Sequence, residues 1–141
     1  MKFTSEITKF EKTVIGTHEF EIDDVNPTYL MGRSGGSSYV CAIIPEYCDK
    51  SIKDENDDWV ESGDKIFLGF IIISSTKSTE YRLKLQPGEL TDFRRMSSEI
   101  HTLPHGEDII NYFLNKGEGY NHQITTKKNF LQTIREWRII K

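Results

Sequence analysis

The carboxylates of this sequence are concentrated in one segment. Residues 46–64 contain eight acidic residues and two lysines, a net charge of −6, whereas the complete chain carries −4. The rest of the chain is therefore slightly basic, with 16 lysines and arginines against 14 acids. Because neighbouring like charges add up to a strong local field, such a segment favours a cationic partner.

A tryptophan lies within the densest part of this segment. Six acids fall within the eleven residues 54–64. A large aromatic ring beside charged groups is typical of the few residues that dominate the affinity of a protein–protein interface. The sequence therefore predicts a site that binds a basic protein through one indole ring and the acids around it: Asp54, Glu55, Asp57, Asp58, Trp59 and Glu61.

No residue set in the sequence predicts catalysis or a metal site. The acidic segment supplies oxygen ligands for Ca²⁺ but lacks the spacing D-x-[DN]-x-[DN]-G of a calcium loop. His101 and His105 are four residues apart, as in zinc-binding helices, but Pro104 interrupts the helix that would place both on one face. The histidines, cysteines and serines form no recognisable triad. We expect no catalytic residues, no metal and no cofactor.

The segment LMGRSGGSSYV, residues 30–40, has the small residues of a phosphate-binding loop. A P-loop requires G-x-x-x-x-G-K-[ST] followed by a helix, whereas this segment has no lysine and precedes the apolar run YVCAII. The pattern predicts a hairpin connection with Arg33 exposed at its tip, where it contributes to partner binding. A binding loop formed by Arg33, Ser34, Ser37 and Ser38 is the alternative.

Hydrophobic periodicity predicts the elements that position these groups. Phe3, Ile7, Phe10 and Val14 recur at steps of four, three and four, which predicts an N-terminal helix. The acidic segment is predicted as a surface loop whose end is fixed to the core by Trp59 and Val60. Alternating or continuous apolar runs predict strands in HEFEID, in TYLMGR, in SYVCAII ending at Pro45, in KIFLGFIIISS and in EYRLKLQ.

The period changes to helical after Pro87. Helices are predicted around Leu90–Ile100, from His105 or Gly106 to a cap at Gly117, and from about Thr126 with Phe130, Leu131, Ile134 and Trp137 inward. Residues 119–125 are predicted as an edge strand or a loop. The order of elements predicts one α+β domain over residues 1–141, with a mostly antiparallel sheet of about five strands and with the N-terminal and C-terminal helices packed on one face.

Composition restricts the compartment and the partners. The longest apolar run, Ile66–Ile73, is too short to span a bilayer, which needs about 20 residues. The N-terminus lacks the apolar centre of a secretory signal, so we expect a cytoplasmic protein with Cys41 and Cys48 as free thiols. A basic C-terminal helix would suit nucleic acid, but the calculated pI of 5.6 and the acidic segment argue against that partner.

These features predict a protein inhibitor rather than an enzyme. The leading hypothesis is an immunity protein that neutralises a cationic toxin, such as a nuclease, by occupying its active or nucleic-acid-binding cleft with the acidic residues. A phage-encoded inhibitor of a host defence nuclease would use the same mechanism. The alternative of a different class is a small-molecule-binding module or minor enzyme, with a pocket lined by Arg33, His101, His105 and Tyr120.

Overall fold

Antiparallel strand pairs build most of the fold. The computed structural model describes residues 2–9, 13–34, 36–115 and 121–139. These residues form the strands β1 (Lys2–Lys9), β2 (Thr13–Glu21), β3 (Thr28–Ser34), β4 (Ser37–Lys53), β5 (Trp59–Ser75), β6 (Glu80–Leu85) and β7 (His122–Thr125), and the helices α1 (Phe93–Ile100), α2 (Gly106–Asn115) and α3 (Lys127–Ile139). Five strands form one antiparallel sheet in the order β6-β5-β4-β3-β7, which confirms the α+β class and the five-stranded sheet.

The N-terminal segment is a β-hairpin, so the predicted N-terminal helix is wrong. β1 pairs with β2 from Lys2 opposite Glu21 to Lys9 opposite Thr13. The rings of Phe3 and Phe20 stack across this pair with their centroids 5.5 Å apart. The segment is rich in threonine, isoleucine, valine and phenylalanine, which favour strands, and cross-strand packing outweighs the accidental helical spacing. Phe10, one of the four residues of that pattern, lies outside the described residues.

Buried side chains on the two faces of the sheet belong to two clusters. Along β4, Tyr39, Cys41 and Ile43 join a cluster with Met96 and Ile100 of α1 and with Ile109 and Phe113 of α2. The intervening Val40 and Ala42 pack with Phe130 of α3. Because successive side chains of a strand point to opposite faces, α3 lies on the face opposite to α1 and α2, rather than on the single face that the sequence predicted.

The strand β4 continues through Pro45, contrary to the prediction that this proline ends it. Pro45 lies opposite Phe70 of β5, and the pairing of the two strands extends to Lys53 opposite Trp59. On its other edge, β4 pairs with β3 only as far as Ile43. An open edge requires no N–H donor, so a proline is tolerated there.

The C-terminal elements largely match their prediction. Helix α1 follows a 3-10 turn at Glu89–Thr91, α2 begins at Gly106, and residues 122–125 form an edge strand on β3. Phe130 is buried as predicted, whereas Leu131 is exposed because α3 contacts the sheet with a narrower face. The predicted cap Gly117 lies outside the described residues. No helix in the described ranges has the length and apolar character needed to cross a membrane.

Candidate functional site: an acidic hairpin arm

The strands β4 and β5 extend beyond the sheet as a two-stranded arm. We define the arm as residues 46–53 of β4, residues 59–69 of β5 and the loop 54–58 between them. β3 ends its pairing with β4 at Ile43, and β6 begins its pairing with β5 at Phe70, so no third described strand accompanies the arm. The acidic segment is therefore mainly strand, and the predicted surface loop is limited to residues 54–58.

Aromatic contacts fix the base of the arm to the domain. The ring of Phe67 lies 5.3 Å from the ring of Tyr47 and also 5.3 Å from the ring of the buried Phe70, measured between centroids. The Tyr47 hydroxyl donates a hydrogen bond to the backbone carbonyl of Asp24. These contacts hold the first residues of the arm in a defined direction relative to the sheet.

Two bulges interrupt the pairing within the arm. One lies at Leu68–Gly69, where Gly69 has a φ of +104° and a Cβ atom would lie 1.8 Å from the carbonyl oxygen of Leu85. The other lies around Gly63, which has a φ of +84°. Bulges bend a strand pair and increase its twist, so the arm is a curved ribbon rather than a flat extension of the sheet.

The loop at the end of the arm is organised by Asp54. One carboxylate oxygen of Asp54 accepts hydrogen bonds from the backbone N–H groups of Asn56 and Asp58, at 2.9 and 3.0 Å. The backbone N–H of Asp54 donates to the carbonyl of Asp58 at 2.9 Å. Asp57 adopts a left-handed φ of +64°, and its carboxylate lies 3.3 Å from Lys53 Nζ. Asp54 and Asp57 therefore shape the loop.

The indole ring of Trp59 is not fixed to the core, which overturns that part of the prediction. Its side chain is 69% exposed, and the Nζ atom of Lys53 lies 5.4 Å from the ring centroid. The neighbouring cross-strand pair, Ile52 and Val60, is also exposed, at 45% and 40%. Exposed apolar side chains grouped on a protruding element are typical of an interaction surface.

Three predicted site residues carry carboxylates that nothing in the described part of the chain neutralises. Glu55, Asp58 and Glu61 are exposed, and none of them forms an ion pair with a described residue. Glu55 and Asp58 lie in the loop, and Glu61 lies in β5 two residues after Trp59. The structure thus brings the six predicted tip residues together, with two of them shaping the loop and three free to meet cations.

Arg33 is separated from this group. It lies opposite Ser38 near the beginning of β4, whereas Lys53 ends the same strand. The fifteen residue steps from Ser38 to Lys53 span about 50 Å at the usual rise of a strand. Arg33 therefore belongs to the other end of the molecule and cannot contact the same small surface of a partner as the acidic tip.

The pocket predicted around the histidines is present in part. His101 and His105 line a cavity of about 370 Å³ together with Glu107, Asp108 and Asn111. Arg33 lines other cavities, and Tyr120 lies outside the described residues. The described residues contain no group of His, Cys, Asp and Glu side chains arranged to hold a metal ion.

Sequence reasoning missed two residues beside this cavity. Asp108 is only 5% exposed, and the ring of the buried Tyr39 stacks on His105 with centroids 4.5 Å apart. Burial, followed by the nearby Asp108 carboxylate, raises the pKa of the Tyr39 hydroxyl, which stays protonated. In the sequence Asp108 is indistinguishable from an ordinary acid in the first turn of a helix.

The two cysteines lie too far apart along β4 to form a disulfide. Cys41 is buried in the sheet and Cys48 is exposed on the arm, and both are free. Seven strand residues span about 23 Å, far beyond the Cα separation of up to about 7 Å that a disulfide allows.

We compared the chain with family models, curated proteins and solved structures. No family model, no curated protein and no solved structure matches the chain.

Proposed function

We propose that this protein is an inhibitor that binds a basic protein through the tip of the hairpin arm. The observation that carries the proposal is the exposed Trp59 beside the unpaired carboxylates of Glu55, Asp58 and Glu61 on a ribbon that leaves the sheet. The indole ring supplies a large apolar contact area, and the carboxylates attract and orient a cationic partner.

An immunity protein that neutralises a cationic, nuclease-like toxin is the form of inhibitor that we propose. A cleft that binds nucleic acid is lined with cations, which the exposed carboxylates of the arm complement. Within such a cleft the acids of the arm replace the phosphates of the substrate. A phage-encoded inhibitor of a host nuclease would act by the same contacts. A toxin gene next to the gene of this protein would favour the immunity protein over the phage-encoded inhibitor.

Charge reversal at the tip tests this proposal. The protein serves as bait in lysate of the organism that encodes it, and captured proteins are quantified by mass spectrometry for the wild type, for Asp58→Lys with Glu61→Lys, and for Trp59→Ala. The control carries Glu80→Lys with Glu136→Lys, two exposed acids outside the arm that change the net charge equally. We expect the wild type and the control to retain the same basic protein. Both tip variants should bind that protein at least tenfold more weakly, a loss of about 1.4 kcal/mol or more of binding free energy.

Inhibition is then measured on the captured partner itself. We expect the wild type to suppress its nuclease activity and the tip variants to require at least about tenfold higher concentrations. A partner that binds the tip variants as tightly as the wild type would exclude the arm as the interface, and a partner whose activity is unchanged by binding would exclude inhibition.

A small-molecule site at the histidine cavity is the second candidate function. The observation that favours it is the nearly buried Asp108 carboxylate beside His105, which has a left-handed φ of +57°. Strained backbone and buried charge are frequent in binding sites. Chemical-shift mapping with a library of small amines tests this candidate: shifts confined to His101, His105 and Asp108 would support it, and the absence of shifts would remove it.

A further inference from the structure

Three chain connections meet at the end of the sheet that lies opposite the arm. They are the β3–β4 hairpin, the turn between β5 and β6, and the residue that precedes β7, with α3 along one side. Two adjoining cavities open there, of about 390 and 620 Å³. Arg33, Ser38 and Lys77 line both cavities and stand at the boundary between them.

Arg33 and Lys77 place two positive charges at this boundary. Both side chains are exposed, and neither forms an ion pair with a described residue. None of the described residues that line the two cavities is an aspartate or a glutamate. Two cations that face a common cavity without a carboxylate favour the binding of an anion.

The backbone around both cations is fixed. The N–H of Arg33 donates to the carbonyl of Asn121 at 3.3 Å, and this close approach needs Gly32, whose Cβ would lie 2.2 Å from the same oxygen. The guanidinium of Arg138 in α3 donates to the carbonyl of Lys77 at 3.2 Å and to Ser75 Oγ at 3.0 Å. Little ordering of the backbone is therefore required when a ligand binds.

The turn between β5 and β6 is closed by its own hydrogen bonds. The hydroxyls of Thr76 and Thr79 lie 2.8 Å apart, and the N–H of Thr76 donates to the carbonyl of Thr79, also at 2.8 Å. These hydrogen bonds hold Lys77, which lies between the two threonines, at the boundary between the cavities.

The two cavities differ in the chemistry of their walls. Hydroxyl groups of Ser37, Ser38, Thr76 and Ser78 line the smaller cavity. The larger cavity adds the indole of Trp137 and the apolar side chains of Met31 and Val40. Hydroxyls hydrogen-bond the oxygens of an anion, whereas an indole supplies a surface on which a planar ring stacks.

We propose that this end of the sheet binds a nucleoside phosphate, with the phosphate between Arg33 and Lys77 and the base against Trp137. The lysine that the glycine loop lacks in sequence is supplied by Lys77 from the β5–β6 turn. Each of the two cavities has a volume in the usual range for a small-molecule site. This site is independent of the partner that the hairpin arm binds.

The negative charge of the arm does not oppose this site. The arm tip lies about 50 Å away along β4, whereas electrostatic interactions in physiological salt are screened over about 8 Å. A small anion is favoured over an extended polyanion because Arg33 and Lys77 are the only arginine and lysine among the described residues that line the site, and the chain as a whole carries a charge of −4.

Tryptophan fluorescence tests the proposal directly, because the chain has two tryptophans and one of them is at the site. In the full-length Trp59→Phe protein, Trp137 is the single reporter. It is titrated with adenosine monophosphate, adenosine, ribose 5-phosphate and inorganic phosphate. We expect saturable quenching by adenosine monophosphate and at least about tenfold weaker binding of the three fragments, since each lacks the ring or the anion.

Substitutions of the two cations locate the binding. Arg33→Ala and Lys77→Ala are each expected to weaken adenosine monophosphate binding about tenfold or more. Arg82→Ala and Lys50→Ala remove the same charges at exposed positions elsewhere and are expected to leave the affinity unchanged. Circular dichroism establishes that each variant is folded.

Three results would overturn the proposal. The first is the absence of saturation with adenosine monophosphate up to about 10 mM, which corresponds to a negligible affinity. The second is binding that persists in both cation variants. The third is a single-stranded oligonucleotide that binds more tightly than the mononucleotide with the same dependence on Arg33 and Lys77, which would identify a polyanion site instead.

Discussion

At the scale of single residues, the acids of the hairpin tip divide into different roles. The Asp54 carboxylate is occupied by two backbone N–H groups, whereas Glu61 is exposed without an ion pair among the described residues. Counting charges in the sequence treats these acids as equal. From the hydrogen-bond pattern we expect that substituting Asp54 changes the shape of the loop, while substituting Glu61 in β5 changes only the charge of the arm tip.

Asp54→Ala is expected to loosen the loop without unfolding the domain. The substitution removes the acceptor of the Asn56 and Asp58 N–H groups, so both amides should exchange faster with solvent in NMR hydrogen-exchange measurements. Global stability should fall by less than about 1 kcal/mol, because the loop is remote from the core. Asp54→Asn retains an acceptor oxygen and is the control. Slow exchange in the alanine variant would show that this carboxylate is not what orders the loop.

Gly32→Ala is expected to destabilise the whole domain. An added Cβ would lie 2.2 Å from the Asn121 carbonyl oxygen and 2.5 Å from the Tyr39 ring, so β7 or Tyr39 must move. Overpacking of this kind costs about 1–3 kcal/mol, measured by urea denaturation. Gly88→Ala is the matched control, since nothing lies within 4 Å of its Cβ position. Equal stability of the two variants would contradict the close packing of β3 against Asn121.

The two thiols are expected to differ in reactivity. Burial raises the pKa of the Cys41 thiol, so its reactive thiolate is suppressed in the folded protein, whereas Cys48 is exposed. A thiol reagent at neutral pH should therefore modify one cysteine in the native chain and both after denaturation. Cys48→Ser should abolish the native reaction. Native labelling in that variant would show that the sheet opens at Cys41.

At the scale of elements, the strands with strong apolar patterns were predictable, and the acidic part of the arm, residues 46–64, was not. β5 next to the core contains the run IFLGFIII, and α2 carries a clear apolar stripe. Residues 46–64 instead contain charges, glycine and serine that locally favour a loop. Their strand structure is propagated from the buried part of β4 and β5, a tertiary effect that local propensity does not record. The N-terminal hairpin was missed for a different reason: its composition favours strands, but the spacing of its apolar residues predicted a helix.

Removing the outer arm is expected to leave the rest of the fold intact. Residues 50–64 can be replaced by Asn-Gly, which joins Asp49 to Lys65 through a two-residue hairpin turn. The melting temperature should change by only a few degrees, because all the removed residues except the half-buried Ser62 are exposed. Adenosine monophosphate binding should persist while capture of the basic partner is lost. Unfolding of this variant would show that the arm contributes to the core, and loss of nucleotide binding alone would place part of that site in the arm.

At the scale of the whole molecule, the two proposed sites occupy opposite ends of one strand. Arg33 and Lys77 are separated by 44 positions in the sequence, so their meeting could not be anticipated without the pairing of β3, β4 and β5. The long β4 also places Arg33 far from the acids with which the sequence had grouped it. Topology therefore divides one predicted site into a negative end and a positive end.

The two tryptophans are expected to report on these ends separately. In NMR spectra of the wild type, adenosine monophosphate should shift the indole N–H signal of Trp137 and leave that of Trp59 in place, and a basic partner should do the reverse. The physical reason is distance: about 50 Å of strand separates the ends, while screening in physiological salt limits electrostatic interaction to about 8 Å. Trp59→Phe and Trp137→Phe assign the two signals. If one ligand shifted both signals with the same concentration dependence, the ends would be coupled through the sheet, and the division of the molecule into two independent sites would be wrong.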